Sequence, residues 1–108
     1  MDDLLGNLVQ EMRRGTVVLC VLASLVEPTY GYSLIERLSG TGIAVEANTL
    51  YPLLRRLESQ GLLVSTWNTD GAKPRKYYSL TGLGREVLGE LTRQWQTTVR
   101  AMDNILKG

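Results

Sequence analysis

Histidine and phenylalanine are both absent from the 108 residues, and cysteine occurs once. Without histidine, a proton relay through imidazole is excluded. A zinc site built on His and Cys is excluded for want of ligands. A lone cysteine closes no intrachain disulfide, so nothing asks for an oxidising compartment. Without phenylalanine the core must be Leu, Val and Ile, with two Trp and five Tyr kept for particular places. An excess of one charge is also lacking, since 12 Lys and Arg stand against 11 Asp and Glu. That balance excludes a polybasic tail and an acidic disordered chain. No linker, repeat or low-complexity segment interrupts the sequence. What remains is ordinary globular usage, 44% hydrophobic and 21% charged, at the length of one domain or one domain plus an extension. A core of that size has a thin stability margin, which a partner chain would widen.

One pattern imitates a targeting signal. Arg13-Arg14 precede an apolar run from Val17 to Val26, broken only by Ser24. However, Asp2, Asp3 and Glu11 make the flank acidic, and the run is too short to span a bilayer. Cys20 follows Leu19, not the small residue of a lipoprotein cleavage site. The segment reads as a buried core helix of a cytoplasmic protein with no membrane partner, and Cys20 as a packing residue within it.

Punctuation at Pro28, Gly31, Gly40-Thr41-Gly42, Gly61 and Asp70-Gly71 divides the chain. Residues 13–26 predict a helix apolar nearly all round, with a weakly helical stretch, Met1 to Glu11, before it. Residues 31–39 predict a short helix with Leu34, Ile35 and Leu38 on one side. Residues 48–60 give the clearest helix: Leu50, Leu53, Leu54 and Leu57 fall at i, i+3, i+4 and i+7. Asn48 reads as its N-cap and Gly61 as its stop. Two β-type runs follow, Leu62 to Thr69 and Arg75 to Leu80, joined by a loop of about five residues. Thr81 reads as the N-cap of a long last helix reaching about Lys107. The expected fold is mainly α with a small β-hairpin: a winged helix-turn-helix (residues 1–80) plus a long C-terminal helix (residues 81–108).

With its Leu face buried, the third helix offers Asn48, Tyr51, Pro52 and Arg55 outward, with Thr49 and Arg56 on the shoulders. A helix of this kind reads the major groove through residues near its N-terminus. Asn bridges adenine, Thr meets a thymine methyl, and Arg reaches guanine or phosphate. The bland alternative is a solvated face with ordinary surface arginines. The hairpin favours DNA, because Lys73, Arg75 and Lys76 lie at its tip and return strand. Residues 43–80 carry five basic and three acidic residues, against three and five in residues 1–42.

Arg14-Gly15-Thr16, Tyr30-Gly31-Tyr32, the run from Asn48 to Glu58 and the run from Arg75 to Thr81 together resemble the PadR family of transcriptional regulators. The motifs stand in order and cover residues 14 to about 95. The resemblance implies a winged-helix domain, a C-terminal dimerisation helix, and repression of nearby genes through an inverted repeat in double-stranded DNA. It further implies phosphate contacts from Tyr51 and the wing cations Lys73, Arg75 and Lys76, with Asn48 and Thr49 nearest the base edges; Arg55 joins the DNA-binding set from the helix-face reading alone. No enzymatic activity and no cofactor or metal are expected. Tyr77 and Tyr78 are adjacent in a strand and must point to opposite faces, so one of them belongs to the core.

The last helix places Leu83, Val87, Leu91, Trp95, Val99, Met102 and Leu106 at three- to four-residue spacing. About 27 helical residues reach roughly 40 Å, farther than a winged-helix core extends. A monomer would leave the distal stripe bare, so a two-fold homodimer is expected. Leu4, Leu5, Leu8, Val9 and Met12 of the N-terminal segment are available to cover the rest. Trp95 reads first as a dimer-core residue. In a sharper reading, Trp95 and Val99 from two subunits flank a cavity for a flat aromatic effector, as in small members of the family that sense drugs or phenolic compounds. With Val99 where an acid would stand, a neutral ligand fits better than a cationic one. That sensor is one alternative function; an interaction adaptor that has lost DNA binding is another.

Overall fold

The computed structural model describes residues 1–108 as five helices and a three-stranded antiparallel sheet. The elements run α1 (Asp2–Arg14), α2 (Val17–Ser24), β1 (Thr29–Tyr30), α3 (Gly31–Gly40), α4 (Ala47–Ser59), β2 (Leu63–Asn68), β3 (Arg75–Leu80) and α5 (Gly82–Lys107). Helices α2, α3 and α4 bury Val21, Leu22, Leu25, Leu34, Leu38, Leu50, Leu54 and Leu57, and the sheet closes over them with Leu63, Tyr78 and Leu80. The spacing of these leucines predicts the buried faces, although Leu53 is only half-buried. Tyr78 is the core member of the tyrosine pair.

Helix ends follow local chemistry. After both α3 and α4 a glycine with positive φ, Gly42 at 91° and Gly61 at 80°, turns the chain. In each turn the next amide reaches back to the helix, Ile43 to the Leu38 carbonyl at 3.2 Å and Leu62 to the Leu57 carbonyl at 3.0 Å. This is the left-handed cap that glycine takes without steric penalty. Thr81 caps α5 as expected: its Oγ1 accepts from the Gly84 amide at 3.0 Å and donates to the Gly61 carbonyl at 2.6 Å. One hydroxyl thus ties the start of α5 to the end of α4.

Four expectations are corrected. The helix of residues 13–26 is two helices. The Thr16 amide (2.9 Å) and hydroxyl (2.7 Å) both bond the Arg13 carbonyl, so a tight turn replaces the α-helical ladder there. Asn48 is not the N-cap of α4. Glu46, in extended conformation, holds that position and Asn48 lies within the first turn. The hairpin has a third strand, since β1 pairs with β3 (Thr29 with Tyr78, Tyr30 with Tyr77) to give the order β1-β3-β2. Finally, the stretch expected to be only weakly helical over Met1 to Glu11 is a full helix that takes in Arg13 and Arg14.

α1 buries none of its residues, and Leu4, Leu5, Leu8 and Met12 are exposed along it. α5 is seated by its first half: Val87, Leu88 and Leu91 pack on the core, and Gly84 is buried. The same helical face then continues as Trp95, Val99 and Met102 with nothing against it. No helix is long and apolar enough to cross a membrane.

Candidate nucleic-acid interface

The start of α4 and the hairpin face the same way, and a crevice of about 410 Å³ lies between them. Tyr30, Tyr32, Tyr51, Trp67 and Tyr78 line it together with Arg55, Arg75 and Lys76. Aromatic faces and cations in one open cleft are the composition that sugar–phosphate backbones select, since guanidinium groups and phenolic hydroxyls both donate to phosphate oxygens.

Gly31 shapes this crevice. A Cβ there would meet Tyr51 Cε1 at 2.5 Å and its hydroxyl oxygen at 2.8 Å. The Tyr51 ring therefore lies across the first turn of α3 because the residue below it has no side chain. Tyr51 is half-buried, while Tyr32 beside it is 62% exposed. Tyr32 and Trp67 (65% exposed) also line the crevice, and neither was among the expected contacts. Exposed aromatics next to Tyr-Gly-Tyr and on a short strand were the available signal.

The wing cations are held differently. On β3, Arg75 and Lys76 alternate to opposite faces of the sheet. The Arg75 guanidinium lies 4.6 Å from the Tyr30 ring centre, and Tyr30 meets Tyr77 edge to face at 5.5 Å. This contact holds the guanidinium over the ring while its N–H groups bond nothing within the chain, a pre-organised donor. Lys76 is engaged within the chain: its Nζ is 3.7 Å from Glu58 Oε1 and 5.3 Å from the Tyr78 ring centre. Ser65 Oγ also donates to Glu58 Oε2. Lys76 is therefore drawn towards α4, although a half-exposed pair of this kind contributes no more than about 1 kcal/mol and yields readily to a phosphate. Lys73 stands exposed on the hairpin loop.

On α4 itself, Asn48, Thr49, Pro52, Arg55 and Arg56 are exposed. The ion pairs of the chain are Lys76–Glu58 and Arg93–Glu90, which leaves Arg55, Arg56, Lys73 and Arg75 without an acidic partner. The structure thus brings Tyr51, Arg55, Arg75 and Lys76 to one crevice. Asn48 lies beyond it on the outer face of α4, Thr49 on the far flank, and Lys73 at the wing tip. Trp95 and Val99 stand elsewhere, on the outer half of α5, 44% and 38% exposed.

Comparison with known proteins identifies the family. The family model described as the transcriptional regulator PadR-like family matches residues 18–90. The transcriptional regulator Rv3488 of Mycobacterium tuberculosis is 36% identical over 93 residues, 85% of this chain and 87% of that protein. Among solved structures, a PadR family transcriptional regulator from Eggerthella lenta superposes with a TM-score of 0.91 at 52% identity, covering 97% of this chain and 94% of its own. A PadR-like transcriptional regulator from Bacillus cereus gives a TM-score of 0.83 at 32% identity, with 91% and 98% covered. A match that runs from α2 into α5, with relatives alike over nearly their whole length, shows that this chain belongs to the PadR-like family and is a transcriptional regulator, not an enzyme.

Proposed function

We propose that the protein represses transcription in the cytoplasm as a homodimer bound to an inverted repeat in double-stranded DNA. Residues 1–80 form the DNA-binding unit and residues 81–108 the dimerisation helix. The observation that carries the DNA reading is the crevice between α4 and the wing, where Arg55 and Arg75 project without acidic partners among four exposed or half-exposed aromatics. Asn48 and Thr49, at the start of α4, read base edges; Tyr51, Arg55, Lys73, Arg75 and Lys76 hold phosphates.

The surface supports a dimer. A compact monomer of this mass exposes about 6,000 Å² and has a radius of gyration of about 13 Å. This chain exposes 7646 Å² and its radius is 15.9 Å. Two copies that bury the excess hide about 3,300 Å², the size of an obligate interface. The exposed residues that supply it are Trp95, Val99 and Met102 of α5 with Leu4, Leu5 and Leu8 of α1. A cavity for a flat aromatic effector between two Trp95 side chains is compatible with that pairing.

Selection of bound sequences from a random duplex library tests the proposal. Recovery of an inverted repeat with half-sites about one helical turn apart is the expected result. A monomer in sedimentation equilibrium that enriches a single asymmetric half-site overturns the dimer model. No enrichment and no salt-dependent binding overturns the DNA reading and leaves an adaptor.

A further inference from the structure

The twin arginines that imitate a targeting signal have no part in the wing crevice. They border a groove of about 520 Å³ between the end of α1 and the start of α4. Its floor is Val17, Ile43 and Val45; one rim carries Arg13 and Arg14, the other Glu46 and Thr49. Both arginines are exposed, and neither has an ion-pair partner. Their position relative to α4 decides what they can meet. At 3.6 residues per turn, Tyr51 and Arg55 lie on one flank of α4 and Thr49 and Arg56 on the other, with Asn48 and Pro52 between them. The wing crevice borders the first flank. The α1–α4 groove borders the second. A helix seated in a major groove about 12 Å wide has a phosphate strand along each flank.

Resting on the reading that α4 enters the major groove, we infer that Arg13 and Arg14, together with Arg56, form a second phosphate clamp for the strand that the wing does not reach. Glu46 opposes it from the other rim, but one carboxylate against three guanidinium groups leaves the flank cationic. Glu46 also sits at the N-terminus of α4, where a negative charge is favourable in its own right. The arginines have a second use, since cations in the last turn of α1 suit its C-terminal carbonyls. That role leaves the salt dependence of DNA binding unchanged, which separates the two.

The experiment is fluorescence anisotropy of full-length protein on a labelled mixed-sequence duplex across a salt series. For Arg13→Ala/Arg14→Ala the log–log salt slope should fall by about 0.9 for every phosphate that each protomer no longer neutralises. Arg13→Lys/Arg14→Lys should restore most of it, because lysine still neutralises phosphate. A double alanine variant with the wild-type slope, beside an Arg75→Ala variant that loses its share, overturns the clamp and leaves the DNA reading standing. A wild-type protein without salt-dependent affinity overturns both. Butanedione modification of wild-type protein, read by mass spectrometry, avoids any folding defect of the variants. Duplex should shield Arg13 and Arg14 along with Arg55 while Arg93 stays reactive. Equal modification of Arg13 and Arg14 with and without duplex overturns the clamp.

Discussion

Two glycines five residues apart on α5 should respond in opposite directions to the same substitution. Gly84 is buried at the third position of the helix. A Cβ added there would overlap the Leu62 carbonyl oxygen, stand 3.1 Å from its carbon and 3.3 Å from Leu80 Cδ2. The obstacle is backbone at the end of the α4 turn and cannot rotate away. The first turn of α5 has to retreat, and overpacking of this kind costs about 1–3 kcal/mol. Retreat also stretches the 3.0 Å bond from the Gly84 amide to Thr81 Oγ1, a cap that contributes about 1 kcal/mol. Alanine returns about 1 kcal/mol through helix propensity. The net loss for Gly84→Ala is about 2 kcal/mol, a drop of roughly 8–16 °C in melting temperature for a chain of this length. Gly89→Ala meets nothing within 4 Å, so only the propensity gain of about 1 kcal/mol remains and the protein should melt higher. Differential scanning calorimetry at one fixed protein concentration reads both, because the proposed dimerisation would make melting concentration-dependent. A Gly84→Ala protein that melts at or above the wild type would refute the claim that α5 is seated on the Leu62 carbonyl. Such a result would also mean that something else fixes the helix relative to the DNA-binding unit.

Other substitutions test the functional surfaces. Lys73→Ala and Arg75→Ala should weaken binding to all duplexes about equally and each lower the salt slope by about 0.9 for every phosphate left without its cation; a changed operator preference with an intact slope would make the wing a reader of bases. Asn48→Ala should cost about 1–3 kcal/mol on the selected operator and little on random duplex, with equal losses in a footprinting titration counting against base readout. Trp95→Ala should weaken the dimer by roughly 2–4 kcal/mol and make specific binding concentration-dependent, as sedimentation equilibrium can show; a variant still dimeric and fully active would move the interface elsewhere. DNA affinity should stay nearly flat between about pH 6 and 8, because the chain has no histidine to titrate there. Hydrogen bonds from Arg93 and Gln94 and the Arg93 charge hold the exposed Glu90 carboxyl below its ordinary value of 4.5. A lowered folded value means that its small contribution is complete above that pH and is lost only as acid passes below it.

What the sequence made legible was local. The Leu spacing of residues 50 to 57, the glycine stops at Gly42 and Gly61 and the Thr81 cap each depend on neighbours within a turn, and each stands where the pattern places it. What it hid was long-range. Strand β1 is two residues long and exists through its pairing with Tyr77 and Tyr78, nearly fifty positions away. Glu58 holds Lys76 from across the α4–β3 junction, so a cation that reads as free in the sequence is partly occupied in the fold. The break at Thr16 takes a rotation of only about 30° from helical dihedrals, since Gly15 (φ −70°, ψ −15°) and Thr16 (φ −91°, ψ −11°) both remain in the right-handed region and no proline marks the place. The start of α4 shifted because no side chain caps it: the extended residue is Glu46, next to the buried Val45, and the better capping residue Asn48 lies inside the first turn.

The position of α1 joins the two interfaces. Its exposed Leu4, Leu5, Leu8 and Met12 belong to the surface that a second copy covers in the proposed dimer, and its last turn carries Arg13 and Arg14 on the groove beside Thr49. α1 buries none of its residues fully, so in the proposed dimer a second copy packed on that apolar face would help to set its angle. In that dimer, a substitution that repacks the Trp95 region should act on α1 before it acts on the helix-turn-helix core. A rotation of α1 carries the arginines relative to α4 while Leu50, Leu54 and Leu57 stay locked. If the proposed dimer and clamp hold, change at the dimer surface should thereby alter phosphate contact at the operator, with the outward face of α4 left intact.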